Sequence, residues 1–369
     1  MTTSDPDPVS WDPTRPRPRR RVAVIGSGVA GLTAAHVLST HAEVTIFESD
    51  DRLGGHAHTH QVTMPDGRVV PVDSGFIVHN DRTYPTLLRL FDELGVAGQD
   101  TDMSMSVRSE LNGLEYAGAL GFSGLFPTAR SLFRGRYLLM LGEVVRFHRA
   151  ARALLDSPDA DIALRDFVAR ERFSDYFCDN FLLPLVAAVW SCDADVAAEY
   201  PARYLFSFLS HHGMLSVFGS PTWRTVVGGS VSYVTKVADR VREHGGRVVL
   251  NSPVTRVADD GSGIDISTAT TGSATERFDA VVIATHPHQA LAMLDAPSAL
   301  HTRVLAAMPY SVKPAVLHSD LSLMPTARRA WASWNYQIRS DATRTGARGD
   351  GTPSLDGSGV AVTYDLTRL

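Results

Sequence analysis

Arg21-Val22-Ala23-Val24-Ile25-Gly26-Ser27-Gly28-Val29-Ala30-Gly31 is the stretch on which the fold turns. Its opening run of small and β-branched apolar residues suits a strand buried on both faces. The run passes without a spacer into Gly-x-Gly-x-x-Gly, and Leu32 to Ser39 continues as a helix. Val44-Thr45-Ile46-Phe47 supplies a second buried strand, so the unit reads strand, helix, strand. In that setting Gly26 permits the tight turn, Gly28 lets backbone approach a pyrophosphate, and Gly31 lets helix and strand pack closely. The head of the helix, at Val29 and Ala30, favours an anion. Glu48 closes the second strand 22 positions after Gly26, near the distance at which a carboxylate meets an adenosine ribose. The expectation is a dinucleotide site. A carboxylate there disfavours the 2′-phosphate of NADP and leaves FAD and NAD.

The next residues separate those two. Glu48-Ser49-Asp50-Asp51-Arg52-Leu53-Gly54-Gly55-His56 sets an arginine and a glycine pair directly after the acid. Backbone donors and a cation at that spot extend a phosphate site beyond the first strand-helix-strand unit. In this register the chain resembles the FAD-dependent amine oxidase superfamily, whose ribose-binding acid corresponds to Glu48 and whose arginine and glycine pair correspond to Arg52, Gly54 and Gly55. His56 stands where many members have a second arginine. Two further segments, Asp73-Ser74-Gly75-Phe76-Ile77-Val78-His79-Asn80-Asp81-Arg82-Thr83-Tyr84-Pro85 and Trp331-Ala332-Ser333-Trp334-Asn335-Tyr336, look like a narrower bacterial group of NAD/FAD-binding oxidoreductases. That group is similar to the N-terminal region of plant cyclopropane fatty acid synthases.

The resemblance runs from about Arg21 to Leu369 and implies FAD as cofactor. It implies an α/β fold: a Rossmann-like FAD-binding domain of the GR2 or amine-oxidase type, carrying an inserted substrate domain that is mainly helical with a mixed sheet. It adds Val254, as a backbone contact to the adenine edge, and Thr285, beside the cofactor. The cofactor-binding set implied is Gly26, Gly28, Val29, Ala30, Gly31, Glu48, Ser49, Arg52, Gly54, Gly55, His56, Val254 and Thr285. Lys313 lies on a segment resembling the one that brings a lysine near the flavin in many amine oxidases. A surface lysine is the plainer reading of that single residue.

Outward from this core, 369 residues with 44% hydrophobic and 20% charged content suffice for two or three structural units. A formal net charge of -5 offers no general field for nucleic acid. Cys178 and Cys192 form neither a CxxC motif nor a disulfide framework, which suits a reducing, cytoplasmic setting. Arg19-Arg20-Arg21 before an apolar run has the outline of a twin-arginine export signal, but glycines at phosphate-loop spacing and the lack of a small-residue cleavage site speak against it. No other apolar stretch is long enough to span a bilayer. Peripheral contact with a membrane surface is compatible with that.

Residues 1–20 are rich in proline and arginine and read as a disordered arm. Gln61 to Val72 alternates around Pro65-Asp66-Gly67 and predicts a hairpin. Helical spacing predicts helices over 84–94, 137–155, 162–171, 175–190 and 231–243. Strand signals return at 247–250, 253–257 and 279–284, so the core sheet is expected to draw on segments distant in sequence. Domains are accordingly drawn as 21–80 with 228–295 for FAD, and 81–227 with 296–369 for substrate, with a flexible loop at 339–359.

His56, His58 and His60 share a face if extended, but no carboxylate or cysteine completes a metal shell, and a role beside the cofactor or in hydrogen bonding is expected. Gly228-Gly229 reads either as cofactor-proximal or as a plain turn. Trp331, Trp334 and Tyr336 read as core before pocket wall. The expected function is hydride transfer from a small-molecule or lipid-like substrate to FAD. A second reading is a nucleotide-binding but catalytically incomplete, truncated flavoprotein, since the resembling family has a later glycine-rich segment that does not occur between Gly359 and Leu369; the sequence is then either a fragment of a longer frame or one that has lost part of its cofactor clamp. An NAD-dependent dehydrogenase is the third.

Overall fold

A computed structural model describes residues 19–158, 160–190, 194–215, 220–270, 274–310, 312, 314–339 and 361–369. The arm and the loop expected at 1–20 and 339–359 fall almost wholly outside the described residues. The chain divides into two units, Met1–Ala57 with Tyr233–Tyr310, and His58–Ser232 with Ser311–Leu369. The sequence reading draws its breaks after residues 80, 227 and 295.

The first unit is organised by its opening strand, Arg20–Ile25, which pairs in parallel with Ala42–Phe47 on one side and Ala280–Ile283 on the other. Arg247–Val249 adds in parallel beyond Ala42–Phe47, giving the order 247–249, 42–47, 20–25, 280–283. Val22, Ala23, Val24, Ile25, Val44 and Ile46 are all buried, as strands covered on both faces require. Helix Val29–Ser39 joins the first two strands, with Leu32 and Ala35 turned inward.

One strand leaves the sheet that the sequence suggests for it. Val254–Asp259 pairs antiparallel with Ile264–Thr268, which pairs with Thr275–Phe278. The cause is the turn between the first two: the Asp260 carboxylate accepts from the Ser262 and Gly263 amides, and Gly261 has φ +82°. A tight reversal of this kind joins antiparallel neighbours, whereas a parallel pair needs a long crossover. Ala23, Ile25, Phe47, Val257, Ile266, Phe278 and Met293 form the core between the two sheets.

The second unit contains the expected hairpin, Thr59–Thr63 with Val69–Asp73, and helix Pro85–Leu94. Proline opens that helix and Gly95, at φ +61°, closes it in the left-handed region. Val78–Asn80, Trp223–Val226 and Gly98–Asp100 form a small antiparallel sheet. A mixed sheet runs 361–364, 334–338, 105–109, 115–117. Within it Tyr336 is buried and packs with Ala187 and Ala188, so this aromatic segment is core.

Helices Gly135–Asp156, Leu164–Glu171 and Ala202–His211 pack around Phe147, which is fully buried. Its ring meets those of Phe167, Phe173, Phe177, Phe181 and Phe206, each with centroids 5.4 to 6.3 Å away. The span 175–190, expected as one helix, is α-helical at Asp175–Phe177, widens to a π turn at Cys178–Leu182, and resumes at Leu183–Trp190. Pro184 has no amide hydrogen to return to the Asn180 carbonyl, and the buried Tyr116 hydroxyl donates there instead, at 2.8 Å. No helix among the described residues is long and apolar enough to cross a membrane.

Candidate functional site

The glycine turn sits at the end of the central strand, and its three glycines differ in what surrounds them. Gly26 has φ +92°, and a methyl group there would lie 2.9 Å from the Ala284 carbonyl oxygen. One at Gly31 would lie 1.9 Å from the Gly26 carbonyl oxygen, so helix and turn are as close as backbones permit. One at Gly28 meets nothing within 4 Å. Gly28 is also the residue from which helix Val29–Ser39 starts, and no side chain caps that start. The amides of the first helical turn therefore border an open backbone face, the usual setting for an anion.

Gly54 and Gly55 lie against this turn. The Gly54 amide donates to the Ser27 carbonyl at 3.1 Å and to Ser27 Oγ at 3.2 Å. Gly55 has φ +57°, and a methyl group on it would come within 3.2 Å of Gly28 Cα. Arg52 donates through Nη1 to the Gly55 carbonyl at 2.9 Å and, among the described residues, has no carboxylate partner, which leaves guanidinium donors to spare.

Glu48 is buried beside them and its carboxylate is fully engaged. Oε2 accepts from the Ser27 amide at 2.8 Å and from Ser27 Oγ, while Oε1 accepts from the Asp50 amide at 3.0 Å and Ser49 Oγ at 3.1 Å. Burial on its own raises the Glu48 pKa, but the hydrogen bonds from Ser27, Asp50 and Ser49 outweigh it and hold the carboxyl below its ordinary value. Ser27 is a residue that sequence reasoning passed over. As the middle residue of Gly26-Ser27-Gly28 it carries the only hydroxyl in the loop, and that signal was there to be read.

Other expected residues arrive from distant sequence. The Ser252 amide donates to the Glu48 carbonyl at 2.8 Å and the Asn251 amide to the Asp50 carbonyl at 2.9 Å. Val254 thus opens its strand two residues from the acid's own backbone. Thr285 follows the strand Ala280–Ile283, and its Cγ2 would lie 3.2 Å from a methyl group at Gly26. His56 stacks near His286, centroids 5.9 Å apart, and His286 stacks on Tyr310 at 4.2 Å. Burial, then the neighbouring His56 and His288, lower the His286 pKa. His286 and Tyr310 carried no signal of their own in the sequence. Lys313 lies outside the described residues.

The second unit holds its own polar knot. Asp73 accepts from the Ser230 amide at 2.8 Å, from Ser230 Oγ at 2.8 Å and from Thr59 Oγ1 at 2.5 Å. It anchors the Gly228-Gly229 turn, whose residues have φ +80° and +83°. The His58 and His60 rings lie tilted with centroids 3.9 Å apart, and His60 Nε2 bonds Ser74 Oγ at 2.7 Å. Among the described residues no group of histidine, cysteine, aspartate and glutamate is arranged to hold a metal ion.

The model of flavin-containing amine oxidoreductases matches residues 29–340, most of the sequence. The chain belongs to that family. The flavin-dependent L-tryptophan oxidase of Lentzea aerocolonigenes is 32% identical over 143 residues, 38% of this chain and 24% of its own length. Amine oxidase [flavin-containing] A of Canis lupus familiaris is 26% identical over 266 residues, 67% of this chain and 46% of its own. The chain therefore spans half or less of the curated relatives it matches. Among solved structures, cyclohexylamine oxidase from Brevibacterium oxydans IH-35A aligns with TM-score 0.59 at 22% identity, covering 78% of this chain and 63% of that one. A fatty acid isomerase from P. acnes aligns with TM-score 0.55 at 18% identity, with the same coverage. These two likenesses establish the fold.

For a flavin-containing amine oxidoreductase the cofactor is FAD, and the open face at Gly28, with an uncapped helix above it and spare donors on Arg52, fits the ADP end of that group. Glu48 fits with one condition. Its four acceptor positions are all taken, so a ribose hydroxyl binds only in exchange for Ser27 Oγ or Ser49 Oγ.

Proposed function

We propose that the protein is an FAD-dependent oxidoreductase that takes a hydride from a lipid-like substrate. The observation that supports this most is the open backbone face at Gly28, framed by the helix start and by Gly54-Gly55. When bound, FAD supplies the hydride acceptor, which side chains do not provide. The chain's own part is to bind and orient. Under this reading the amides at the helix start and Gly28 face the pyrophosphate, Glu48 takes the ribose, and Arg52 adds a cation. Ser49, His56, Val254 and Thr285 border the same cofactor, with the first unit as the FAD-binding domain and the second meeting substrate.

The lipid class rests on the likeness to the bacterial group related to the N-terminal region of plant cyclopropane fatty acid synthases. A fold that also serves a fatty acid isomerase is compatible with it. Lys313 keeps the role that the resemblance implies, close to the reacting centre.

The purified chain should be yellow, or become so on addition of FAD and stay so after gel filtration. A colourless protein that retains no FAD overturns the reading. Mixed anaerobically, a long-chain phospholipid in detergent should bleach the yellow band while putrescine leaves it, and the reverse pattern would replace the lipid by an amine. Lys313→Met should slow bleaching roughly tenfold or more; an unchanged rate disposes of its role.

A further inference from the structure

One stretch of the second unit turns outward apolar side chains that its core does not use. Phe133 is 86% exposed, Leu139 73%, Phe122 70%, Leu138 42% and Leu132 41%. They stand on ordered backbone: the short helix Gly121–Leu125, the turn Ala129–Phe133 and the start of helix Gly135–Asp156. Beneath them the packing is firm. The Phe122 ring lies 4.8 Å from Phe126, Phe126 meets Tyr137 edge-on at 6.0 Å, and the Tyr137 hydroxyl donates to the Leu125 carbonyl at 2.7 Å. Tyr137 and Met140 fill the core, so Leu138 and Leu139 are held outward by the helix itself.

The charge of this stretch is as one-sided as its hydrophobicity. No acidic residue occurs between Glu115 and Glu143, while Arg130, Arg134 and Arg136 do. Arg134 is spent on the Asn112 and Gly113 carbonyls at 2.9 and 2.8 Å. Arg130 and Arg136 are exposed and, among the described residues, have no carboxylate partner. A chain with net charge -5 is repelled as a whole by an anionic surface, so these cations act only as a local contact.

We infer that this surface docks on an anionic lipid bilayer, with Phe122, Leu132, Phe133 and Leu139 entering the boundary between headgroups and acyl chains and Arg130 and Arg136 meeting lipid phosphates. Apolar side chains rimmed by unpaired arginine are what an interfacial segment presents. A symmetric pairing of two copies through the same surface would set arginine against arginine. Nucleic acid would draw on the cations and leave the phenylalanines and leucines in water. The docking involves no flavin, so its failure leaves the oxidoreductase reading standing, and the reverse.

Flotation with lipid vesicles tests it. The 369-residue chain should float with vesicles rich in phosphatidylglycerol and much less with phosphatidylcholine alone, and raised salt should weaken binding. Phe122→Ser, Phe133→Ser and Leu139→Ser together should reduce flotation roughly tenfold or more, with an unchanged thermal midpoint because none of the three is core. Arg130→Gln with Arg136→Gln should remove the preference for the anionic lipid, which keeps the test decisive if the triple variant folds poorly. A wild-type chain that floats with neither vesicle, or variants that float as it does, overturns the inference. So does a dimer in light scattering that the triple variant abolishes while vesicles are ignored.

Discussion

A methyl group added at Gly31 would lie 1.9 Å from the Gly26 carbonyl oxygen, while one at Gly28 would meet nothing within 4 Å. The two alanine variants therefore part company. Gly31→Ala forces helix and turn apart and should cost about 1–3 kcal/mol in urea unfolding. Gly28→Ala, at a φ of -61° that any residue adopts, should unfold with the wild type yet lose FAD retention. Equal stability losses in both would mean that the open face is not where the cofactor lies. Glu48 adds a pH dependence of definite sign. Its folded pKa is lowered from an ordinary value of 4.5, so its stabilisation is complete above that value and is lost as pH falls through the lower, folded one. Glu48→Gln turns a donor toward Ser27 and Asp50 and should cost roughly 1–3 kcal/mol at neutral pH. The gap to wild type should shrink in acid, as read by denaturant melts at several pH values.

At the scale of elements, the π turn within 175–190 makes Tyr116 answerable for a carbonyl that Pro184 abandons. Tyr116→Phe keeps the ring and removes the donor, and should destabilise the chain by about 1–2 kcal/mol in chemical unfolding. No loss would mean the Asn180 carbonyl finds another donor. The sequence carried the existence of this helix because periodicity is a local property, but neither its widening at Cys178–Leu182 nor the Tyr116 donor 64 residues away. The same division holds elsewhere. Parallel strands announced themselves as short apolar runs, and the glycines with Glu48 marked the cradle. The sheet that Val254–Asp259 joins was not legible, because pairing is a choice among distant partners and the Asp260 turn settles it locally. Nor was the stack of His56, His286 and Tyr310, which is assembled across the whole first unit. Of the candidate site, the adjacency of the glycine turns and Glu48 was legible because backbone geometry sets it, and the neighbours that tertiary packing brings were not.

For the molecule as a whole, ligand binding should register as stability of the unit that holds the cradle. FAD at about one hundred times its Kd should add about 2.7 kcal/mol, seen as a raised thermal midpoint, with ADP giving part of that and NADP none. An NADP shift as large as that of FAD would contradict the reading of Glu48. The arrangement of the first unit also has a bearing on how the protein is made. Its central strand, Arg20–Ile25, has one neighbour at Ala42–Phe47 and the other at Ala280–Ile283. At about 5–20 residues per second, synthesis leaves the opening strand half-sided for roughly ten to fifty seconds. During that interval an apolar edge emerges on the ribosome with nothing to cover it, and Gly26 lacks the Ala284 wall that shapes its turn. The first unit's sheet can therefore close, and the Gly26 turn take its final shape, only once residues 280–284 have been made.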